Sequence, residues 1–329
     1  MPTQPLSGSE FTSLVAPFGL KNKIAIAVSG GGDSLALALL MKQWADRALN
    51  PIELVTLTVD HQLRSESTAE AETVHQWMTE HGLEHHTLTW QHQPLTTGIQ
   101  KQARQARYQL LTDWCLAHKA TTLMTAHHLH DQWETVMMRL SKGSGLTGLC
   151  GIRTVVKTSF GQLVRPLLTT SPDRLALTLR QFNQPFLQDP SNQNLNFERI
   201  RWRRLLTTLS NQGLTPAIIQ KTLIQLQTVE DFCEQQTEQA LKICFDISQG
   251  LKLDDFKTLP LEIAYRVLKK VIQDIGKAPY SMGQNVGHKL YQKLISPNFN
   301  GATAGGCYLK RKQGGWVRII RETPRRCRI

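Results

Sequence analysis

Ile24-Ala25-Ile26-Ala27-Val28-Ser29-Gly30-Gly31-Gly32-Asp33-Ser34-Leu35-Ala36-Leu37-Ala38-Leu39-Leu40-Met41 is the stretch that decides the fold. Residues 24–28 are a short apolar run that reads as a buried parallel strand, and 35–41 are strong helix formers without a breaker. Three glycines stand between them, with Ser29 on one side and Asp33-Ser34 on the other. A strand, a glycine turn and a helix in that order direct backbone N–H groups and the positive end of a helix dipole toward an anion. Glycine permits positive φ and lets phosphate oxygens approach the main chain without meeting a Cβ. The hydroxyls of Ser29 and Ser34 stand at the two rims as donors. The stretch contains neither GxxxxGK(S/T) nor GxGxxG, so it is neither of those phosphate-binding loops. An ordinary glycine-rich turn is the bland alternative.

Outward from this stretch the chain alternates strand and helix. Strands are predicted at 52–59, 85–90 and 121–125, with helices at 70–81 and 100–118 between them. Such alternation predicts βαβ units and a mostly parallel sheet, an α/β fold that binds ligands beyond the carboxyl ends of its strands. The unusual polar groups fall at that edge: 29–34 after the first strand, Asp60 after the second, and His127 to Asp131 after the fourth. From about residue 215 the pattern changes to long helices, at 217–241 and 260–275. The latter places Leu261, Ala264, Leu268, Val271 and Ile272 on one face. Two short strand-like pieces, 307–310 and 316–320, flank Gly314-Gly315. The organisation expected is a catalytic domain over 1–214 and a mainly helical domain over 215–329 that ends in a β hairpin.

Composition bounds the function. The 329 residues are 40% hydrophobic, enough for two cores. Lys and Arg number 38 against 26 Asp and Glu, a formal charge of +12 that suits a polyanionic partner better than a small metabolite. A generally basic solvated surface is the competing explanation. No apolar run reaches membrane-spanning length, and residues 1–20 have no basic cluster before an apolar core, so no secretory signal is expected. None of the six cysteines is in CxxC spacing, which fits scattered reduced thiols in a cytoplasmic protein. The oligomeric state is left open.

A second constellation reads Thr125-Ala126-His127-His128-Leu129-His130-Asp131-Gln132-Trp133-Glu134-Thr135. Asp131 and Glu134 are three apart and share a face of a helix starting here. They suit a helix N-terminus in any case. Beside a phosphate loop, however, they favour carboxylates that hold Mg²⁺ or a cationic substrate. HExxH and the HxE…PCxxC pattern of zinc deaminases are absent.

Ser29 to Ser34 resembles the SGGxDS loop of the ATP pyrophosphatases, which cleave ATP between its α and β phosphates to adenylate a substrate. Further segments narrow the resemblance to the bacterial tRNA(Ile)-lysidine synthetases. Residues 59–67, VDHQLRSES, resemble their VDHGLRxES. Arg104 and 105–108 resemble AR-x-x-RY, and 139–151, RLSKGSGLTGLCG, resemble RLxRGSGLxGLxG. Asp189-Pro190-Ser191-Asn192 with Phe197 matches DPSN…F, and Gly305-Gly306-Cys307 resembles a GGC turn near their C-terminus. The chain departs from the family twice. Its HHxDDQxET pattern has His130 in place of the first Asp, and after Phe197 the RNRxR pattern loses its Asn while the arginines stay.

The resemblance implies a PP-loop ATPase domain, similar to adenine nucleotide alpha hydrolases, and ligation of L-lysine to carbon 2 of the wobble cytidine of a CAU-anticodon tRNA(Ile). ATP adenylates the base and releases pyrophosphate; lysine then displaces AMP. It implies ATP contacts from Ser29, Gly30, Gly31, Gly32, Asp33 and Ser34, with Asp33 near Mg²⁺. It assigns Asp33, Asp131 and Glu134 to catalysis, the latter two to position lysine or accept its proton. Arg104, Arg107, Asp189, Asn192, Arg201, Arg325 and Arg326 fall to the tRNA or substrate, and the domain over 215–329 to tRNA binding. A tRNA thiolase of the same superfamily and a non-catalytic basic RNA-binding protein are the alternatives.

Overall fold

The computed structural model describes residues 4–93, 96–188, 198–277 and 282–322. Asp189, Asn192, Arg325 and Arg326 lie outside the described residues. The chain groups into two compact units, Met1–Leu226 and Gln227–Ile329.

The first unit opens with α1 (Gly8–Val15), β1 (Lys23–Ala27), α2 (Gly32–Ala45), β2 (Glu53–Asp60), α3 (Ser67–Glu80), β3 (Glu84–Thr89) and α4 (Ile99–Ala117). There follow β4 (Thr122–Met124), α5 (Leu129–Leu140), α6 (Leu146–Leu149), β5 (Val155–Thr158), β6 (Gly161–Val164), α7 (Pro172–Gln181) and α8 (Glu198–Asn211). Helix α9 (Pro216–Cys244) runs across the division between the units. The sheet has six strands in the order β3-β2-β1-β4-β6-β5. All neighbours are parallel except β5, which pairs antiparallel with β6. No sequence pattern predicts the β5–β6 hairpin, because four-residue strands carry too few alternating positions to register.

Alternation along β1 divides the core. Ile24, Ile26 and Val28 pack with α1, α2, α3 and α7 residues, whereas Ala25 joins Val55, Leu57, Leu123 and the α4 residues Leu111, Trp114 and Cys115. Helices therefore cover both faces. Helix α2 shows no polar stripe, and Ser34 to Met41 are all buried. The sheet takes one side of it, and α1 and α7 cover the other.

Parallel register levels the strand ends. Ile26 is opposite Met124, and Met124 is opposite Val164. The residues that follow (Ser29, Thr125 to His128, and Arg165) therefore emerge along one carboxyl edge.

In the second unit, α9 leads to β7 (Phe245–Asp246), β8 (Gly250–Lys252), α10 (Leu253–Lys257), α11 (Leu261–Gly276) and α12 (Gln284–Ile295). It ends in β9 (Gly301–Ala304), β10 (Cys307–Arg311) and β11 (Trp316–Arg321). The predicted hairpin is the β10–β11 pair of a five-stranded antiparallel sheet ordered β7-β8-β11-β10-β9. Ala264, Val267, Leu268, Val271 and Ile272 of α11 pack with Cys307, Leu309, Val317 and Ile319 of the sheet. Leu261, predicted on that face, is 46% exposed because it is the first residue of the helix. A buried ion pair joins Arg266 Nη2 to Glu230 Oε2 at 2.8 Å, with Glu262 on Arg266 Nε at 2.7 Å. No helix among the described residues is long and apolar enough to cross a membrane.

Candidate active site

The glycine turn sits between β1 and α2. Gly30 has φ +81, and a Cβ there would stand 2.6 Å from Leu187 Cδ1 and 2.8 Å from Val74 Cγ2. Both conformation and crowding therefore require glycine. The Ser34 hydroxyl donates to the Gly31 carbonyl at 2.8 Å and accepts from the Ser29 N–H at 3.1 Å. Leu187 N–H donates to the Gly30 carbonyl at 2.9 Å. Ser34 is buried, so its hydroxyl closes the loop from within, while Ser29 is exposed at the rim. Ser34 N–H turns back to the Gly31 carbonyl at 3.1 Å, and the Gly32 and Asp33 N–H groups at the start of α2 have no partner within the helix. Asp33 lies in that first turn.

Helix α5 begins on the same edge with an unusual cap. His128 is its N-cap residue: Nδ1 accepts from the N–H groups of His130 and Asp131 at 3.2 and 3.4 Å, and Asp131 Oδ2 accepts from His128 N–H at 2.9 Å. Its Nε2 lies 3.4 Å from Asp33 Oδ2. Burial disfavours a charge on this ring, whereas the Asp33 hydrogen bond and the Asp131 charge lift its pKa above the usual value. A proton on Nδ1 would oppose two backbone N–H groups. In the neutral ring Nδ1 accepts from these two groups and the proton sits on Nε2, toward Asp33.

Asp131 and Glu134 lie on one side of α5, as their spacing predicts, and α8 brings two arginines onto them. Arg199 Nη2 donates to Asp131 Oδ1 at 2.9 Å and Arg199 Nε to Glu134 Oε2 at 2.5 Å, while Arg203 Nε donates to Glu134 Oε1 at 2.8 Å. Burial raises the Asp131 pKa, but the His128 and Arg199 charges outweigh it and keep the carboxyl below the usual range. The Glu134 side chain is 0% exposed and that of Asp131 is 15% exposed. The i,i+3 spacing makes the two acids equivalent, yet of the two only Asp131 is open to a diffusible substrate. Arg199 and Arg203 were not singled out for this role, although their i,i+4 spacing puts both on one helix face. Arg201, two residues from each, points away and is exposed.

His130 stands edge-on to His128 and Trp133, with ring centroids 6.0 and 6.3 Å away. Burial lowers its pKa. It thus supplies a neutral ring where the family pattern has a carboxylate. Gln132 and Arg139 of the same helix serve the backbone. Gln132 exchanges hydrogen bonds with the N–H and C=O of Ile152, and Arg139 donates to the carbonyls of Gly148 and Gly151. The RLSKGSGLTGLCG segment is therefore a clamp that fixes α5.

A basic cluster completes the edge. The Arg104 and Arg107 guanidinium carbons lie 5.1 and 5.2 Å from the Tyr108 ring centroid. Against burial, the charges of Arg107, Arg104 and Arg165 hold the Tyr108 phenol below its usual pKa. Arg165 is 8% exposed; one Nη donates to the Arg153 carbonyl at 2.8 Å, but among the described residues its buried Nε has no hydrogen-bond partner, nor has the Tyr108 hydroxyl. His127, bonded to Thr125 at 2.9 Å, is pushed down to about 3 by burial, with Arg165, Arg107 and Arg104 opposing a charge on it as well. Arg165 went unread because its strand did.

Asp60, by contrast, is turned inward. It accepts from Gln62 N–H and the Thr68 hydroxyl, both at 2.9 Å. Burial raises its pKa, and these bonds hold it low. It fixes the turn after β2.

Among known proteins, residues 5–209 match the PP-loop domain family. A tRNA(Ile)-lysidine synthase from Wolbachia sp. subsp. Brugia malayi is 34% identical over 92% of this chain and 72% of the relative. Proteins of the same name from Bradyrhizobium sp. (strain BTAi1) and Methylobacterium nodulans are 36% and 35% identical. They cover 92% and 98% of this chain, and 87% and 98% of their own. Among solved structures, the U34-tRNA thiolase NcsA from Methanococcus maripaludis aligns with a TM-score of 0.58 at 19% identity. The alignment covers 67% of this chain and 76% of that one, a likeness of fold.

Proposed function

Because the chain belongs to the tRNA(Ile)-lysidine synthase family and carries its PP-loop domain, we propose that it ligates L-lysine to the wobble cytidine of CAU-anticodon tRNA(Ile) in two steps at the sheet edge described above. The enzyme is an ATP-using ligase that forms lysidine on tRNA(Ile). Relatives of that name match over most of the chain, whereas the thiolase shares only the fold, so ligation is favoured over thiolation.

The observation that carries the reading is the continuous path from Asp33 through His128 and Asp131 to Arg199 and Glu134. It joins a phosphate loop to a carboxylate site along one edge. In the first step the oxygen on carbon 2 of cytidine attacks the α-phosphorus of ATP and pyrophosphate leaves. The N–H groups at the start of α2 and the Ser29 hydroxyl receive its negative charge. In the second step the lysine ε-nitrogen bonds to carbon 2, the bond from carbon 2 to the AMP oxygen breaks, and the nitrogen gives up its protons. Asp131 retains unused lone pairs beside Arg199 and is placed to hold the incoming ammonium and accept a proton. Glu134, fully buried, positions Arg199 and Arg203.

A Mg²⁺ ion fits this donor set as far as the chain supplies it. Magnesium is held by one or two carboxylates together with phosphates and water, and Asp33 is a half-exposed carboxylate beside the loop. When bound there, the ion would neutralise charge on the departing pyrophosphate.

The Arg104, Arg107, Arg165 and Tyr108 cluster supports seating of the tRNA backbone next to the target base. The buried Arg165 Nε and Tyr108 hydroxyl, without a hydrogen-bond partner among the described residues, are costly until an anion or other polar group completes them. The test incubates unmodified tRNA(Ile) with the protein, ATP and labelled lysine. Label in the RNA, with one pyrophosphate and one AMP released per lysine, supports the reading; pyrophosphate without label, or label only with a sulfur donor, overturns it.

A further inference from the structure

Strands β10 and β11 pair so that Tyr308 is opposite Ile320 and Lys310 is opposite Arg318. Their alternate residues, Cys307, Leu309, Val317 and Ile319, are buried in the core of the second unit. By the two-residue period, Tyr308, Lys310, Arg318 and Ile320 share the opposite face, and all four are exposed. Trp316 continues this face along β11, and Thr303 of β9 stands opposite Tyr308. Residues 301, 303, 308, 310, 316, 318 and 320 on these three strands include no acid.

Like charges directly opposite across an antiparallel ladder destabilise it. The register nevertheless sets Lys310 against Arg318, with Tyr308, Ile320 and Trp316 beside them and a further cation, Lys312, next along the chain on the same face. Lys252, across from Trp316 on β8, pairs with Asp255 at 2.8 Å and so does not add to the repulsion. A sheet that merely covered α11 would gain nothing from the Lys310–Arg318 pairing. A polyanion laid across the face would relieve it, while Tyr308, Trp316 and Ile320 offer flat surface for bases or ribose.

We propose that the outer face of β9, β10 and β11 is an RNA platform, on which Lys310 and Arg318 contact phosphates of the tRNA substrate and Tyr308 packs against a nucleoside. This rests on the tRNA reading above. It separates the basic residues of this region by face, which the count of charges along the chain does not.

The experiment uses the full chain and unmodified tRNA(Ile), with filter binding over a salt series. Each phosphate contact contributes about 0.7–0.9 to the slope of log affinity against log salt. The double variant Lys310→Gln/Arg318→Gln is expected to bind at least 10-fold more weakly at low salt, with the slope reduced by about 1.4–1.8. Its melting temperature should equal or exceed that of the parent, because the like-charge pair is gone. Its affinity for ATP should be unchanged. Tyr308→Ser should weaken binding without altering the slope. Parent-like affinity and slope in the double variant, with the parent binding tRNA and incorporating lysine, overturn the platform alone. A parent protein that does not bind tRNA overturns both readings. Unaltered tRNA binding with loss of self-association assigns the face to a second copy, and that also overturns it.

Discussion

His128 Nε2 and Asp33 Oδ2 lie 3.4 Å apart, across the gap between the start of α5 and the start of α2. Two helix N-termini thus share a hydrogen-bond link at the centre of the edge. His128 is bound on its other nitrogen by backbone N–H groups, so its ring has little freedom and Asp33 is held from outside its own loop.

Asp33→Ala is expected to abolish tRNA-dependent pyrophosphate release while tRNA affinity persists, because Asp33 serves the phosphates. His128→Asn separates the two duties of the histidine. Asparagine can cap α5 but is too short to reach Asp33, so stability should change by less than about 1 kcal/mol. Pyrophosphate release should fall at least 10-fold. Steady-state turnover with a melting curve for each variant checks both, and near-normal turnover of Asp33→Ala would remove the phosphate-loop assignment.

Glu134→Gln should raise the lysine requirement, or slow transfer, more than it affects adenylation. The amide keeps one acceptor for Arg199 or Arg203 and loses the charge that holds both. A stability loss of about 2 kcal/mol accompanies removal of hydrogen bonds to a buried charged group. Adenylated tRNA trapped without lysine is the readout. Its absence in this variant would move Glu134 to the nucleotide side.

Gly30→Ala should destabilise the unit by about 1–3 kcal/mol and remove pyrophosphate release. The alanine would have to adopt φ +81 and press its Cβ against Leu187 and Val74. Gly19, also at positive φ but with nothing within 4 Å of a Cβ, is the control: alanine there should cost less and leave turnover intact. Equal effects at the two positions would argue against crowding at the loop.

Stability should fall as pH drops from about 6.5 toward 4 because of His85. The Thr58 hydroxyl donates to the Val28 carbonyl at 2.8 Å, so its oxygen accepts from His85 Nε2–H at 2.9 Å. The remaining nitrogen, Nδ1, faces His75 Nδ1 at 3.1 Å. Burial, with His75 and His86 adding to it, pushes the His85 pKa down to about 4 from 6.5. Between those values the unfolded chain binds a proton that the folded chain excludes. Unfolding is therefore favoured as pH falls, by roughly 3 kcal/mol once below both values. Urea denaturation at pH 7 and at pH 4.5 measures it, and His85→Gln should flatten the difference.

The amino-acid sequence by itself determined the parallel α/β core, the phosphate loop and the α5 acid pair. These are local matters: an apolar run, a glycine turn and an i,i+3 spacing each lie within a few residues of one another. The amphipathic α11 and the β10–β11 pair were legible for the same reason. Tertiary structure decided what the side chains do. Arg199 and Arg203 lie more than sixty residues from Glu134 in the chain, and only the packing of α8 on α5 brings them onto it. Arg165 reaches the same edge because a four-residue strand pairs with β4. Asp131 and Glu134 look alike in sequence, yet packing buries one completely and leaves the other open. Burial and long-range pairing depend on where the rest of the chain goes, so no spacing rule within one segment can assign them.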